Sequence, residues 1–345
     1  MSKVRLGLVG CGNMAQQHAS RFNMLEDRVE LTAAVDYNIE SAEAVCAEFD
    51  GCRPFTDYRD ILDSVDAVLI AVPHHYHYES AKFFLEAGKH VLLEKPMANT
   101  DEKCVDLVKI GEKAEGVFMI AYIMRYHPLV ARMKELVDQK YYGDVIQMSI
   151  WTEQLTQFGP DHWRASAKNL GGGEFMSHGC HYVDILLWFL GRPVRGVHLG
   201  TNFGTPWMEK DGTSNAVIEF EGGQLGYHFG TWGARGTKLG YSFQAHCTEG
   251  MLEIDFQNGK LLGHKNVRGE EVVKETETLM NVEGRKFTHN ELAHFLDCIE
   301  TGATPLTDAP GSLQGLRLIW RLYESEEEDR MADLRGLGLD EFQGV

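Results

Sequence analysis

The sequence predicts an α/β fold: a doubly wound parallel sheet in the first part of the chain, followed by an α+β domain with a mainly antiparallel sheet. Three observations carry this expectation. Apolar runs alternate with helix-patterned segments from Val4 to Tyr122 without a hairpin signal, the mark of parallel strands joined by helices. One of these runs, Val91-Leu92-Leu93, stops abruptly at Glu94-Lys95-Pro96, which delivers a lysine to the carboxyl edge of the sheet, where open α/β sheets bind ligands. From Val145 onward the pattern changes to short strands separated by Gly-rich turns such as Glu221-Gly222-Gly223 and Glu249-Gly250, which reads as antiparallel.

A chain of 345 residues and 38.8 kDa is long for one core and suits two domains. The expected division is 1–124 and 125–345, with a helix at about 312–324 packing back on the first domain. Lys plus Arg number 33 and Asp plus Glu 51, a net charge of −18. Such a surface repels nucleic acid and anionic lipid and leaves small molecules as the expected partners. Seven cysteines without a C-x-x-C spacing argue against a disulfide framework and a structural zinc site, so reduced, mostly buried thiols are expected. Met-Ser-Lys-Val-Arg runs straight into a strand, and no apolar run reaches the roughly 18 residues of a membrane span. No membrane partner is expected, and a cytoplasmic location follows by default.

The strand Val4 to Val9 feeds Gly10-Cys11-Gly12-Asn13-Met14-Ala15, the G-x-G-x-x-A form of the dinucleotide fingerprint. Gly10 is read as making the tight turn, Gly12 as letting backbone approach a pyrophosphate with Asn13 and Met14 beside it, and Ala15 as letting the helix pack closely. A helix from Met14 to about Leu25 and a strand from Glu30 to Val35 follow, ending in Asp36, where a carboxylate would accept hydrogen bonds from an adenosine ribose. Tyr37-Asn38 come next, with no arginine for a 2′-phosphate, so NAD is preferred over NADP. The competing reading has Asp36 capping the helix Ile39 to Phe49.

Further strands are expected at Ala67 to Val72 and Val117 to Tyr122, and helices at Tyr76 to Ala87 and about Asp101 to Glu115. Val72 and Pro73 are expected to line the nicotinamide side, with His77 orienting their loop. His74, His75 and His77 lack an acidic or cysteine companion, so no metal is expected. Pro96 restricts Lys95 to extended geometry and ends the lysine strand.

In the second half a helix after Pro128 runs to about Lys140. Strands are expected at Val145 to Glu153, Arg195 to Asn202, Ala216 to Phe220, Gln224 to Trp232, Tyr241 to His246 and Met251 to Phe256. Gly171-Gly172-Gly173 precedes a stretch read as one helix from Glu174 to Gly191, on which Ser177, His181 and Asp184 form a polar stripe that marks a cleft wall. Helices from about Arg285 to Glu300 and Ser312 to Glu324 follow, with Glu326-Glu327-Glu328-Asp329 as a solvated end. Tyr126, Trp151, His162, Trp163 and Arg164 are candidate cleft residues.

These motifs together resemble the Gfo/Idh/MocA oxidoreductases, which include glucose-fructose oxidoreductase and inositol dehydrogenase. The likeness runs from Val4 to about Ser325, and its most specific markers are the glycine turn, Ala-Val-Asp ending at Asp36, the Glu94-Lys95-Pro96 tripeptide, and Gly-Gly-Gly followed by His181-x-x-Asp184. The resemblance implies a Rossmann domain joined to a domain whose large open sheet forms a homodimer or homotetramer interface. It implies that Lys95 and His181 are catalytic, that Glu94 is shared by cofactor and site, and that Trp163-Arg164 lies on a loop reaching the cleft. Many members carry aspartate where this chain has Ser177, which can hydrogen-bond a sugar hydroxyl but cannot act as a base.

The activity expected is reversible hydride transfer between NAD and a secondary alcohol of a sugar, cyclitol or related polyol. His181 would take the hydroxyl proton, Lys95 would donate to the developing alkoxide, and Asp184 would orient His181. Two alternatives are an NAD-retaining glycoside hydrolase working by transient oxidation and elimination, and a non-catalytic dinucleotide-binding regulator.

Overall fold

A computed structural model describes residues 3–159, 161–268, 272–284 and 286–337. The chain divides into two compact units, Met1–Ile123 with Phe287–Leu313, and Met124–Lys286 with Gln314–Val345.

In chain order the first unit contains β1 (Val4–Val9), α1 (Asn13–Ala19), β2 (Val29–Val35), α2 (Ile39–Cys46), β3 (Arg53–Phe55), β4 (Ala67–Ile70), α3 (His77–Glu86), β5 (His90–Glu94), α4 (Asp101–Gly111) and β6 (Phe118–Ala121). The six strands are parallel in the order β3-β2-β1-β4-β5-β6. Strand order reverses between β1 and β4, the switch point at which such sheets place ligands. The central strands are continuous apolar runs because both faces are covered, and Val68, Leu69, Ile70, Val91, Leu92 and Leu93 are fully buried. The helix expected from Met14 to Leu25 is divided: α1 tightens at its end, where Arg21 N reaches His18 O at 3.0 Å, and a 3₁₀ turn follows at Phe22–Leu25. A disulfide joins Cys46 to Cys52, correcting the expectation of free thiols throughout. The turn after α2 folds the chain back toward β3 and sets the two Cα atoms 5.0 Å apart, within bridging range.

The second unit contains α5 (Pro128–Asp138), β7 (Val145–Glu153), α6 (Ala167–Leu170), α7 (Glu174–Ser177), α8 (Cys180–Leu190), β8 (Pro193–Thr201), β9 (Thr213–Phe220), β10 (Leu225–Thr231), β11 (Tyr241–Cys247), β12 (Met251–Asp255), β13 (Lys260–Arg268) and β14 (Val272–Asn281). They form a nine-stranded sheet in the order β14-β13-β12-β11-β7-β10-β9-β8-β15, in which β7 and β10 run parallel and the other pairs antiparallel; β15 is Ala332–Asp333. One face of β9 is buried through Ser214, Ala216, Ile218 and Phe220, and on β8 and β9 the other exposes Val197, Leu199 and Val217. No helix among the described residues is long and apolar enough to cross a membrane.

Two helices close the chain, α9 (Thr288–Thr301) and α10 (Ala309–Glu327). The first lies in the first unit, although the sequence places it beyond the expected boundary. Thr288 Oγ1 donates to Gln17 O at 3.2 Å, and the Arg28 guanidinium pairs with Asp297 at 2.8 Å and Glu300 at 3.0 Å. These partners lie far apart in sequence, so composition along the chain could not show the return. Arg285, the expected start of that helix, lies outside the described residues. The acidic run at the end of α10 is also not simply solvated, because Glu326 accepts from His198 Nδ1 and from Gly200 N, both at 2.7 Å.

Candidate active site

The glycine turn after β1 is shaped by its own residues. Gly10 has φ +90°, and a Cβ there would lie 2.5 Å from Ala71 O, so only glycine fits. A Cβ added to Gly12 would meet nothing within 4 Å. That open space over the first turn of α1, which has no side-chain cap, is where a pyrophosphate would be held by Gly10, Gly12, Asn13 and Met14. Asp36 at the end of β2 holds this turn in place: its Oδ2 accepts from Cys11 N at 2.8 Å and its Oδ1 from Asn38 N at 3.0 Å. Asn38, rather than Asp36, caps α2 by accepting from Glu40 N. Each Asp36 oxygen keeps acceptor capacity, so the carboxylate fits a ribose diol. The Cys11 thiol is pushed up to about 12, first by burial and then by the Asp36 charge, which leaves it an inert core group.

At the end of β5 the buried Glu94 carboxylate receives His18 Nε2 at 2.9 Å on Oε1 and Lys95 N at 3.2 Å on Oε2. Lys95 is half-buried and precedes a cis peptide to Pro96. His77 is buried in α3, with Nδ1 2.7 Å from Pro96 O and Nε2 2.8 Å from Val72 O. It therefore ties the loop carrying Val72 and Pro73 to the loop that follows Lys95. Burial holds this imidazole below its ordinary pKa, against the pull of the two carbonyls. Among the described residues no three His, Cys, Asp or Glu side chains are grouped to hold a metal ion.

In the second unit the expected single helix is broken. Glu174 O accepts from both His178 N at 2.7 Å and Gly179 N at 3.1 Å, and the chain restarts as α8 at Cys180. A Cβ on Gly179 would lie 2.5 Å from Phe175 O, so the bend needs glycine there. The start of α7 is pinned by Asp211, whose carbonyl accepts from Glu174 N at 2.7 Å and whose Oδ2 accepts from Phe175 N at 2.9 Å. Tyr323 donates to Asp211 Oδ1 at 2.8 Å and accepts from Gly173 N at 3.1 Å. Ser177 and His181 are both buried, on either side of the bend. Asp184 does not orient His181: both its oxygens accept from Arg125, at 2.8 Å from Nε and 2.7 Å from Nη2. Arg125 also stacks on Trp188, with 5.1 Å to the ring centroid. Tyr126 is buried beside it in sequence. Trp163 and Arg164 stand on a 3₁₀ turn capped by His162, with the Arg164 guanidinium 4.8 Å from the Trp163 ring centroid. Trp151 is half-buried on β7, its ring edge-on to Tyr227 at 6.0 Å between centroids.

Residues 4–122 match the family model described as an oxidoreductase family with an NAD-binding Rossmann fold, and residues 130–253 match the GFO/IDH/MocA C-terminal domain. The chain belongs to the Gfo/Idh/MocA oxidoreductase family. Residues 4–122 thus form an NAD-binding Rossmann domain. The chain is 27% identical to D-xylose 1-dehydrogenase (NADP(+)) 2 of Haloferax volcanii over 88% of this chain and 92% of that one. It is 30% identical to 1-carboxy-3-chloro-3,4-dihydroxycyclo hexa-1,5-diene dehydrogenase of Comamonas testosteroni, over 64% of this chain and only 56% of that protein. In fold it is similar to levoglucosan dehydrogenase in complex with NADH and L-sorbose, with a TM-score of 0.87, 20% identity and coverage of 97% and 100% of the two chains.

Within this Gfo/Idh/MocA chain several site groups escape a reading of the sequence. His18 and Arg125 carry no local signal, because their partners Glu94 and Asp184 are distant in sequence. Glu291 on α9 is wholly buried, and neither of its oxygens has a hydrogen-bond partner among the described residues. Burial, and then the charge of Glu94, pushes its carboxyl well above the ordinary range. The buried Glu174 and the part-buried His178 pair at i, i+4, a spacing visible in the sequence but overshadowed by His181.

Gly12→Val should fold normally, since its Cβ meets no protein atom, yet weaken NADH binding at least about tenfold by filling the space a pyrophosphate would take; fluorescence titration measures this, and unchanged affinity would remove the turn from the cofactor site. Arg125→Ala should cost about 3 kcal/mol in urea unfolding, because it strands the Asp184 carboxylate in the interior; a loss below about 1 kcal/mol would place the pair among weak surface ion pairs.

Proposed function

We propose that this enzyme oxidises a secondary alcohol of a sugar, cyclitol or related polyol, reversibly, with NAD as the preferred cofactor. The observation that carries the reading is the placement of Gly10, Gly12 and Lys95 at the carboxyl ends of β1 and β5 in one parallel sheet. When bound there, NAD supplies the acceptor for the hydride. The family membership and the similarity to a xylose dehydrogenase support the polyol class. Asp36 supports NAD over NADP, since a carboxylate repels a 2′-phosphate and neither Tyr37 nor Asn38 offsets it.

In this reading Lys95 donates a hydrogen bond to the substrate oxygen as negative charge develops on it, with its main chain held by Glu94. His181 takes the hydroxyl proton, a task suited to an imidazole, whose ordinary pKa is about 6.5. Asp184 contributes by fixing α8 through Arg125. Ser177 favours a second reading, a redox-neutral glycoside hydrolase, because no carboxylate stands at that position. The two differ in net NADH: the dehydrogenase accumulates it, whereas the hydrolase releases sugar without it.

Near-ultraviolet absorbance of NADH, followed over a panel of sugars and cyclitols with NAD, should rise with at least one of them. Lys95→Ala should lower that rate by about 10² or more while NADH still binds. A panel that leaves the absorbance flat while NADH binds would overturn the dehydrogenase reading, and unaltered turnover in the variant would remove Lys95 from the chemistry.

A further inference from the structure

Glu174 is wholly buried at the start of α7, with Oε2 accepting from the Ser214 hydroxyl at 3.0 Å and Oε1 facing His178 Nδ1 at 3.1 Å. With Glu174 ionised, its carboxylate only accepts, which puts the hydrogen on Nδ1 and leaves Nε2 as the basic nitrogen. Nε2 lies 3.2 Å from the Tyr182 hydroxyl and 3.2 Å from the Tyr241 hydroxyl, and Tyr241 in turn donates to Gln154 Oε1 at 2.7 Å. A buried carboxylate behind an imidazole stabilises the doubly protonated ring that forms when the other nitrogen takes a proton. The His178 ring stands edge-on to His181, with 6.4 Å between centroids.

Groups facing His178 include Glu174 from α7, His181 and Tyr182 from α8, Tyr241 from β11 and His228 from β10. His228, stacked on Tyr182 at 5.1 Å, is held well below the ordinary imidazole value by burial and then by its neighbours His178 and His198. Burial keeps the Tyr182 and Tyr241 hydroxyls above theirs, followed by Tyr241 and then Glu174 for Tyr182, and by Glu174 for Tyr241.

We propose that His178, backed by Glu174, is a proton-relay residue that takes up the proton the substrate leaves on His181, a function Ser177 cannot supply. The inference rests on the dehydrogenase reading. The substrate O–H bond breaks as an N–H bond forms on His181. That N–H bond then breaks as one forms at His178 Nε2, with a water molecule spanning the gap, while Nδ1–H stays on Glu174. The Nε2–H bond breaks as the Tyr241 oxygen takes the proton, and the hydrogen that Tyr241 already carried passes to bulk water where Tyr241 and Gln154 are partly exposed. The relay moves protons alone and changes no oxidation state. His178 acts through His181 and is in that sense a positioning residue for the proton.

Three variants test this: His178→Ala, His178→Asn and Glu174→Gln, each compared with the parent for thermal unfolding and NADH binding. Both His178 variants should turn over at least about tenfold more slowly with KM little changed, and added imidazole should restore His178→Ala in proportion to its concentration. Glu174→Gln should move the acidic limb of the pH–rate profile, and the His178 Cε1–H titration in NMR spectra, down by about one pH unit, because the cationic ring loses its partner. Folded His178 variants that match the parent, or that slow without imidazole rescue, would overturn the relay while leaving the dehydrogenase reading intact. A parent enzyme inactive on every polyol would overturn that reading instead, and an unmoved NMR titration in Glu174→Gln would overturn the Glu174–His178 pairing in either case.

Discussion

The site in the first unit depends on one buried carboxylate. Glu94 ends β5 with one oxygen committed to His18 and the other to the amide of Lys95. A charge in the interior persists only if it is paired. Burial acts to raise the Glu94 carboxyl, but the hydrogen bond and charge of His18, followed by the charges of Lys95 and His77, outweigh it and hold the group below its ordinary value. A carboxyl depressed in the folded state contributes stability above its unfolded pKa, and that stability is lost as pH falls through the folded value. The arrangement that fixes Lys95 is therefore sensitive to acid. Glu291 acts in the opposite sense: its pKa is raised in the folded state, so its burial is tolerated while it is protonated and becomes costly as pH rises.

The second unit solves a different problem, which is to hold a bent polar helix in a buried setting. Triple glycine lets Asp211 and Tyr323 approach the backbone closely: a Cβ on Gly173 would lie 2.3 Å from Asp211 Oδ1. Those contacts satisfy the first amides of α7, which a four-residue helix cannot satisfy internally. The bend at Gly179 then places Ser177 and His181 on separate segments, while Arg125 secures α8 through Asp184.

What the sequence revealed follows from the range of the interactions involved. The glycine turn, Asp36 and the lysine strand were legible because each depends on residues adjacent in the chain and on a strand-turn-helix context that apolar periodicity displays. The break between α7 and α8 was not, because Glu174 to Leu190 keeps helical periodicity through Gly179, and only the clash with Phe175 shows why it bends. β13 and β14 escaped because strongly polar stretches such as Lys265-Asn266 and Lys274-Glu275 gain strand structure from pairing with β12 and with each other. The assignment of Asp184 to His181 failed because proximity along a helix suggested a partner, whereas a bidentate guanidinium from before α5 offered both oxygens a stronger one.

The central claim is that hydrogen leaves a substrate carbon for the cofactor at the sheet edge that carries Lys95. Its most direct measurement uses an active polyol deuterated at the carbinol carbon, with NAD, and mass spectrometry of the cofactor. The account predicts deuterium in the reduced cofactor, a slower rate than with the protiated polyol, and one ketone formed per NADH. Product formed while the cofactor pool stays free of deuterium would contradict it.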